Sequence, residues 1–440
     1  MMDTAKYIAL WGATGFENMG DEAMLAGELE ILKKLLGDGY QFIVFSFHPE
    51  VTSRLHQIPA KYDFSRLMTD KVRGHKKIIK ALLLLLMGLK LVWNGKRIRK
   101  GKSPRFLNPI EKEFLLTLAN CEALLLVGGG NLNDIFVRGG LVARSFTSFL
   151  AKILGKPVFL GAQTVGPLNK RWTRLLARKF LERVDVITLR ESFSKNVLGE
   201  IGVKHNIVKV VPDDAFNISS IDKKDALDIL LNEGIDINEI KKRKQKIVAI
   251  STRAWWEIND KNIPLKVALE ETIRFLARQD KNYIIFVPTS FYQGPGDDDI
   301  KTSKEIVSRI GLSGGANLRI LSGKYNWNQL KGILGLMDVA IGTSYHFIVF
   351  AVSMGVPALG LYVDEYYRLK IGGFFDLMGF GDLAVDAKNL NEDKLIDILD
   401  NFLERENILR ERLIKKVDKI KDDSCYAARQ LAKILIEKQK

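Results

Sequence analysis

Short apolar runs alternate along this chain with stretches in which apolar residues recur every three or four positions. Runs of strand length lie at Tyr7–Ala13, Gln41–Phe47, Ala123–Gly128, Pro157–Thr164, Val186–Arg190 and Ile207–Pro212. Between them run segments such as Asp21–Leu36, where Met24, Leu25, Leu29, Leu32 and Leu36 recur at helical spacing. A second series follows at Ile247–Thr252, Tyr283–Pro288, Leu318–Ser322, Val339–Thr343 and Ala358–Tyr362. Strand–helix alternation implies parallel sheets joined by right-handed crossovers. Two such series predict an α/β protein of two Rossmann-like domains with parallel sheets facing a cleft. The first spans residues 1–220 and the second 247–425. A charged, solvated connector at 221–246 joins them, and a last helix from about Glu404 closes the chain, with 426–440 as its end. The stretch 54–118 breaks the alternation and reads as a helical insertion.

The insertion carries most of the charge. Between Lys71 and Lys102 there are eleven Lys or Arg and no Asp or Glu, so all but four charges of the formal +15 belong to this segment. The basic character is local, which argues against a nucleic-acid binder. Within it, Ile78–Trp93 is nearly all apolar but too short to cross a bilayer, which takes about 20 residues. Two readings stay open for residues 76–102: a helix lying in an anionic membrane surface, or a buried helix whose lysines reach water at its ends. The two cysteines, Cys121 and Cys425, lie far apart, which excludes a disulfide scaffold and suits a reducing compartment. No two of the five histidines stand at ligand spacing, so no zinc site is expected. Asp297-Asp298-Asp299 follows Gly-Pro-Gly and reads as a turn and helix start.

The first strand runs into Gly12-Ala-Thr-Gly15-Phe-Glu-Asn-Met-Gly20-Asp21. A dinucleotide fingerprint requires its third glycine at position 18, which is Asn18, and an acidic residue after the second strand, which instead ends Phe45-Ser-Phe-His48-Pro. A nicotinamide dehydrogenase is therefore a poor fit. The turn still allows close backbone approach to a ligand, and the following helix offers free amides. Asp21 reads either as the N-cap of that helix or as a base beside a ligand.

Other strand ends carry polar turns. Leu124-Leu-Leu-Val-Gly-Gly-Gly-Asn-Leu-Asn-Asp134 runs into three glycines, which alone suit a tight turn equally well. Phe159–Pro167 ends in Gln163-Thr-Val-Gly-Pro, and Ile187–Ser194 contains Arg190. Val210-Val-Pro-Asp-Asp-Ala-Phe216 follows. The second series adds Val339-Ala-Ile-Gly-Thr-Ser-Tyr-His346, then Gly355-Val-Pro-Ala-Leu-Gly360 and Tyr362-Val-Asp-Glu-Tyr-Tyr-Arg-Leu-Lys370. In this order, from Gly12 to about Gly379, the set resembles the polysaccharide pyruvyl transferase family. The resemblance implies a GT-B-like pair of domains and transfer of pyruvate from phosphoenolpyruvate to a sugar of a cell-surface glycan, as a ketal.

By position, the resemblance makes Arg190, His346 and Lys370 the groups that bind the donor, with Gly129 and Gly130 beside them. His346 also serves as general acid. Asp21 is the first candidate for the base and Asp134 the second. Asn18, Glu22, Asn131 and Gln163 are read as acceptor contacts. No cofactor is expected, since phosphoenolpyruvate is a substrate. The partners are a saccharide acceptor, lipid-linked if residues 76–102 lie on a membrane, and no nucleic acid. The expected place is the cytoplasm, peripheral to the inner face of the membrane under the same condition. The family often shows Arg-x-His at the second-domain histidine, where this chain has Ser344, and Arg368, beside Lys370, is the alternative for its role. Bland alternatives remain: Arg190 paired with Glu191, a structural His346 on an apolar helix, and Trp255-Trp256 either stacking on a sugar or packing. Two other functions stay open, a nucleotide-sugar glycosyltransferase of GT-B type and a membrane-associated binding protein without catalysis.

Overall fold

The computed structural model describes residues 6–74, 76–253, 263–292, 298–312 and 317–438. The chain forms two compact units. The first takes the residues up to Phe16, Met24–Asp214 and those from Cys425 on; the second takes Glu17–Ala23 and Ala215–Ser424.

The first unit is built on an eight-stranded parallel sheet. Its strands are β1 (Lys6–Trp11), β2 (Tyr40–Ser46), β3 (Ala60–Tyr62), β4 (Cys121–Leu126), β5 (Gly129–Leu132), β6 (Val158–Val165), β7 (Val186–Leu189) and β8 (Val208–Val210). Their order is β3-β2-β1-β4-β6-β7-β8, and β5 pairs with β6. The central strands are apolar because both faces are covered; every residue of β6 is buried. Trp11 stands level with Phe45 on β2 and Leu126 on β4. The β1 and β4 ends therefore finish side by side, where the order of the sheet reverses. Such a reversal is where open α/β sheets bind ligands.

The second unit has a six-stranded parallel sheet: β9 (Lys246–Ser251), β10 (Asn282–Phe286), β11 (Leu318–Ile320), β12 (Val339–Gly342), β13 (Ala358–Tyr362) and β14 (Ala384–Asp386). Its order, β11-β10-β9-β12-β13-β14, reverses between β9 and β12.

All eleven strands read from the sequence are present. The three missed ones, β3, β5 and β14, have three or four residues each and no distinctive pattern. Strand β3 lies inside the stretch expected to be a helical insertion, and it extends the sheet by pairing with β2. The connector also differs from expectation. Helices Lys223–Asn232 and Ile237–Lys242 bury Ala226, Leu230, Ile237 and Ile240, so this segment packs within the second unit. The last helix is two: Glu406–Ile420 belongs to the second unit, and Tyr426–Glu437 packs on β6 and β7 of the first.

The helix Lys77–Arg99 buries Met87 and Leu91 in the core of the first unit and exposes its opposite face. It is thus not a helix buried all round. No described helix is long and apolar enough to cross a membrane.

Candidate active site

In the second unit the polar residues gather where β9, β10 and β12 end. Strand β12 runs into Thr343 and Ser344, and then the helix Tyr345–Ser353 begins. That helix is apolar all round and buried from Tyr345 to Val352, which fixes His346 in its first turn with 7% exposure. Residues 17–19 run alongside residues 289–291. The Met19 amide donates to Thr289 O at 3.0 Å, and the Phe291 amide donates to Glu17 O at 3.1 Å. Lys324 closes the same strap with an ion pair to Glu17 at 3.0 Å. The strap seats the first turn of the helix Met19–Leu36 directly on the imidazole. A Cβ built on Gly20 falls 2.0 Å from His346 Cγ and Nδ1. The closeness attributed to a ligand at Gly20 is thus closeness to His346.

Asn18, Asp21 and Glu22 arrive with Gly20. The Gly20 amide donates to Asn18 Oδ1 at 3.2 Å, so Asn18 and not Asp21 caps the helix. Asp21, the third residue of the helix, is half-buried, and Glu22 is fully buried. Neither Asp21 nor Glu22 is isolated.

Lys370 reaches the same neighbourhood by way of aromatic rings. Its Nζ lies 5.2, 4.8 and 5.3 Å from the ring centres of Tyr345, Tyr366 and Tyr367. It donates to Tyr366 Oη at 3.3 Å. Tyr345 in turn meets His346 edge to face at 5.0 Å. Three ring faces hold the ammonium in place, and its charge also acts on the Asp364 carboxyl. Arg368 is engaged elsewhere, forked onto Glu365 at 2.6 and 2.7 Å.

Around Ser344 there is a relay of hydroxyls. Ser344 Oγ lies 3.2 Å from Thr289 Oγ1, and Asp299 Oδ2 accepts from Thr289 N, Thr289 Oγ1 and Ser290 N at 2.8, 3.1 and 3.0 Å. Burial raises the Asp299 carboxyl above its usual range, opposed by Arg253 and these donors. The Arg253 guanidinium stands 4.0 Å from Asp299 Oδ1, and the Arg253 amide donates to Thr343 Oγ1 at 2.9 Å. Asp298 caps the helix Asp299–Arg309 by accepting from Lys301 N, as a turn and helix start requires. Trp255 and Trp256 lie outside the described residues.

The first unit collects Gly129, Gln163 and Arg190. The three glycines do not form a tight turn into a helix: Gly129 and Gly130 open β5, and Gly129 stands opposite Gln163 on β6. Gln163 is fully buried and its amide donates to Val127 O at 2.7 Å. Asn131 is half-buried on β5. Arg190 is 1% exposed; Nε donates to Thr164 Oγ1 and a terminal nitrogen to Asp213 Oδ2, both at 2.7 Å. Glu191 is a weaker partner, 3.9 Å away. Burial pushes the Glu191 carboxyl up to about 7, although Arg190 pulls the other way. Asp134 reaches from the loop after β5 to the loop after β6, accepting from the amides of Asn169 and Lys170 at 2.7 and 3.1 Å. Those bonds occupy one carboxylate oxygen and mark Asp134 as a brace for the loop before the helix Arg171–Leu181.

Two features escaped the sequence reading. Arg253 stands two residues past the end of β9, at the reversal of the second sheet, and its position beside the end of β12 had no local signal. Glu28 and Asp214 form the second: the two carboxyls are buried side by side. Asp214 Oδ2 also accepts from the amides of Gly128 and Ala162 at 3.1 and 3.2 Å. Burial, reinforced by the charge of Asp213, pushes Asp214 up to about 7, and burial raises Glu28 as well. Here a signal existed, because Glu28 interrupts the apolar stripe Leu25, Leu29, Leu32.

Comparison with known proteins adds three findings. The sequence profile described as "Polysaccharide pyruvyl transferase" matches residues 18–365. The amylovoran biosynthesis protein AmsJ of Erwinia amylovora is 24% identical over 402 residues, covering 88% of this chain and 91% of that protein. Among solved structures, Anabaena Alr3699/HepE in complex with UDP and glucose superimposes with a TM-score of 0.57 at 13% identity, over 98% of this chain and 100% of the other. A glycosyltransferase from Rickettsia africae ESF-5 gives 0.57 at 13% identity, over 98% and 99%. The UDP-GlcNAc 2-epimerase of Neisseria meningitidis bound to UDP-GlcNAc gives 0.52 at 14%, over 98% of each chain. At such identities the likeness is one of fold, the GT-B-like pairing of two Rossmann-like sheets.

Proposed function

The chain belongs to the polysaccharide pyruvyl transferase family, and from that we propose that it moves pyruvate from phosphoenolpyruvate onto a saccharide as a ketal. The acceptor is a sugar of a cell-surface glycan or of a lipid-linked saccharide. The observation that carries this reading is the seating of His346 under the first turn of the helix Met19–Leu36, with Lys370 one aromatic ring away.

The chemistry follows from those groups. Phosphoenolpyruvate is a compact polyanion, so it calls for cations and amide donors. Lys370 supplies a held charge. Relatives often carry arginine two residues before the histidine; here we assign that electrostatic duty to Arg253, linked to Ser344 through Asp299 and Thr289. A proton delivered to the methylene carbon makes C2 electrophilic, and His346 is the donor of that proton. One sugar hydroxyl adds to C2 and gives up its proton, with Asp21 as base. The C2–O bond to phosphate then breaks, and phosphate departs with the electron pair. A second hydroxyl adds to the resulting oxocarbenium carbon and releases its proton, closing the ketal. One diol and one phosphoenolpyruvate give one ketal and one phosphate. Cations near the departing phosphate stabilise the charge that develops there.

A ligand titration followed by thermal unfolding tests the donor. A ligand at 100 times its dissociation constant adds about 2.7 kcal/mol of stability. Phosphoenolpyruvate should stabilise the wild type and stabilise Lys370→Ala markedly less. Stabilisation by a UDP-sugar with no response to phosphoenolpyruvate would replace this reading with the nucleotide-sugar glycosyltransferase.

A further inference from the structure

We propose that the outer face of the helix Lys77–Arg99 is a docking surface for an anionic lipid bilayer, on which the helix lies flat. The face is a continuous apolar stripe. Ile79, Leu82, Leu86, Leu89 and Trp93 follow one another at intervals of three and four, and Leu85 widens the row. All six are exposed, Leu85 and Leu89 by 60% and 59%. Phe106, 81% exposed, extends the stripe and stacks on Trp93 with ring centres 6.4 Å apart. Leucines in such a row stay in water only at a cost, and large exposed apolar patches mark interaction sites. The helix itself is firmly placed, because Met87 and Leu91 on its other side are buried in the core of the first unit. The stripe is therefore presented by a packed element and is not the stray surface of a frayed one.

Charge identifies the occupant. The helix holds six Lys or Arg and no acid. Lys90 is neutralised by Glu111 at 2.6 Å. Most of the remaining cations sit at the two ends of the stripe: Lys76 and Lys80 flank its first residue, Ile79, and Lys96, Arg97, Arg99 and Lys100 follow its last, Trp93. Arg97 lies over the Trp93 ring at 4.8 Å, which pairs an aromatic belt residue with a headgroup-seeking cation. A leucine face rimmed by lysine and arginine matches the boundary between acyl chains and anionic headgroups. A second copy of this chain fits worse. Its helix would bring another six basic residues and no acid against the first six. Crossing the bilayer is excluded by the same residues that favour lying on it.

Vesicle flotation of the full chain tests the proposal with no donor or acceptor present, so its outcome is independent of the pyruvyl-transfer reading. Vesicles of phosphatidylcholine with phosphatidylglycerol should carry the protein upward, and vesicles of phosphatidylcholine alone should carry far less. Raising the salt should weaken the binding, since exposed charges are screened. The double variant Leu86→Glu, Leu89→Glu should bind anionic vesicles about tenfold more weakly or worse, with unchanged melting temperature. Lys96→Gln with Arg99→Gln should weaken binding while leaving the stripe intact, and thus reads the charge separately. Absence of flotation for the folded wild type would overturn the proposal. So would flotation indifferent to both variants, or a dimer in solution that the leucine variant dissolves while vesicles capture nothing.

Discussion

At Gly20 a single methyl group has no room: its carbon would lie 2.0 Å from two atoms of the His346 ring. Gly20→Ala must therefore push the imidazole or the helix turn aside. A misplacement of about 1 Å at reacting groups costs on the order of a hundredfold in rate, and steady-state kinetics on the variant should show that loss with the fold retained by circular dichroism. His346→Ala removes the proton donor outright and should lower kcat by about 10²–10⁴-fold. Lys370→Ala should act mainly on donor affinity, by roughly 1.5–3 kcal/mol, the value of a hydrogen bond to a charged group. The split between kcat and KM in these two variants separates their roles. Arg190 predicts a different outcome. It is buried against Asp213 at 2.7 Å, and removing one partner of a buried pair costs about 3–5 kcal/mol. Arg190→Ala should thus lose stability in denaturant titrations, whether or not donor binding suffers as well.

Among elements, the ends of β4, β6 and β7 in the first unit bury acids whose protonation holds the fold. Burial lifts Glu191 and Asp214 to about 7, and lifts Glu28 in the same direction. The folded state then keeps protons that the unfolded chain releases near its ordinary carboxylate range of about 4. Their contribution to stability is complete below that range and is lost as pH rises through about 7. The melting temperature should fall between pH 5 and pH 8, and Asp214→Asn, which is neutral throughout, should flatten that slope. A melting temperature that climbs over this range would contradict the assignment. Salt bridges on the surface, such as Lys242–Glu239, have no comparable leverage because water screens them.

At the scale of the molecule, the regular parts were legible and the irregular parts were not. The apolar runs Leu124–Leu126 and Phe159–Ala162 announced central strands because both faces of a parallel sheet are covered. Strand β3, Ala60–Lys61–Tyr62, has no such mark, since an edge strand of three half-buried residues needs no apolar run. The site divides in the same way. His346 and Lys370 were both singled out through their place in the family order, since a histidine on an apolar helix reads by itself as structural. Gly20 was legible as a glycine in a turn but was referred to a ligand, because the strap between residues 17–19 and 289–291 joins segments far apart in sequence. Asp134 was the second candidate for the base, and its bonds to the amides of Asn169 and Lys170, distant in sequence, had no local sign. The pairing of Arg253 was missed for the same reason: Asp299 approaches it from the start of a helix far along the chain. Non-local pairings of this kind leave no trace in local periodicity.

The central claim is that a bond from phosphoenolpyruvate carbon to sugar oxygen forms on this chain. Phosphoenolpyruvate labelled with carbon-13 at C2 and C3, incubated with the protein and a saccharide extract and followed by carbon and phosphorus NMR, reads that bond directly. The account predicts a new ketal carbon with its attached methyl, phosphate released in equal amount, and neither signal with His346→Ala. Labelled phosphoenolpyruvate left intact while a nucleotide-sugar is consumed in the same extract would contradict it.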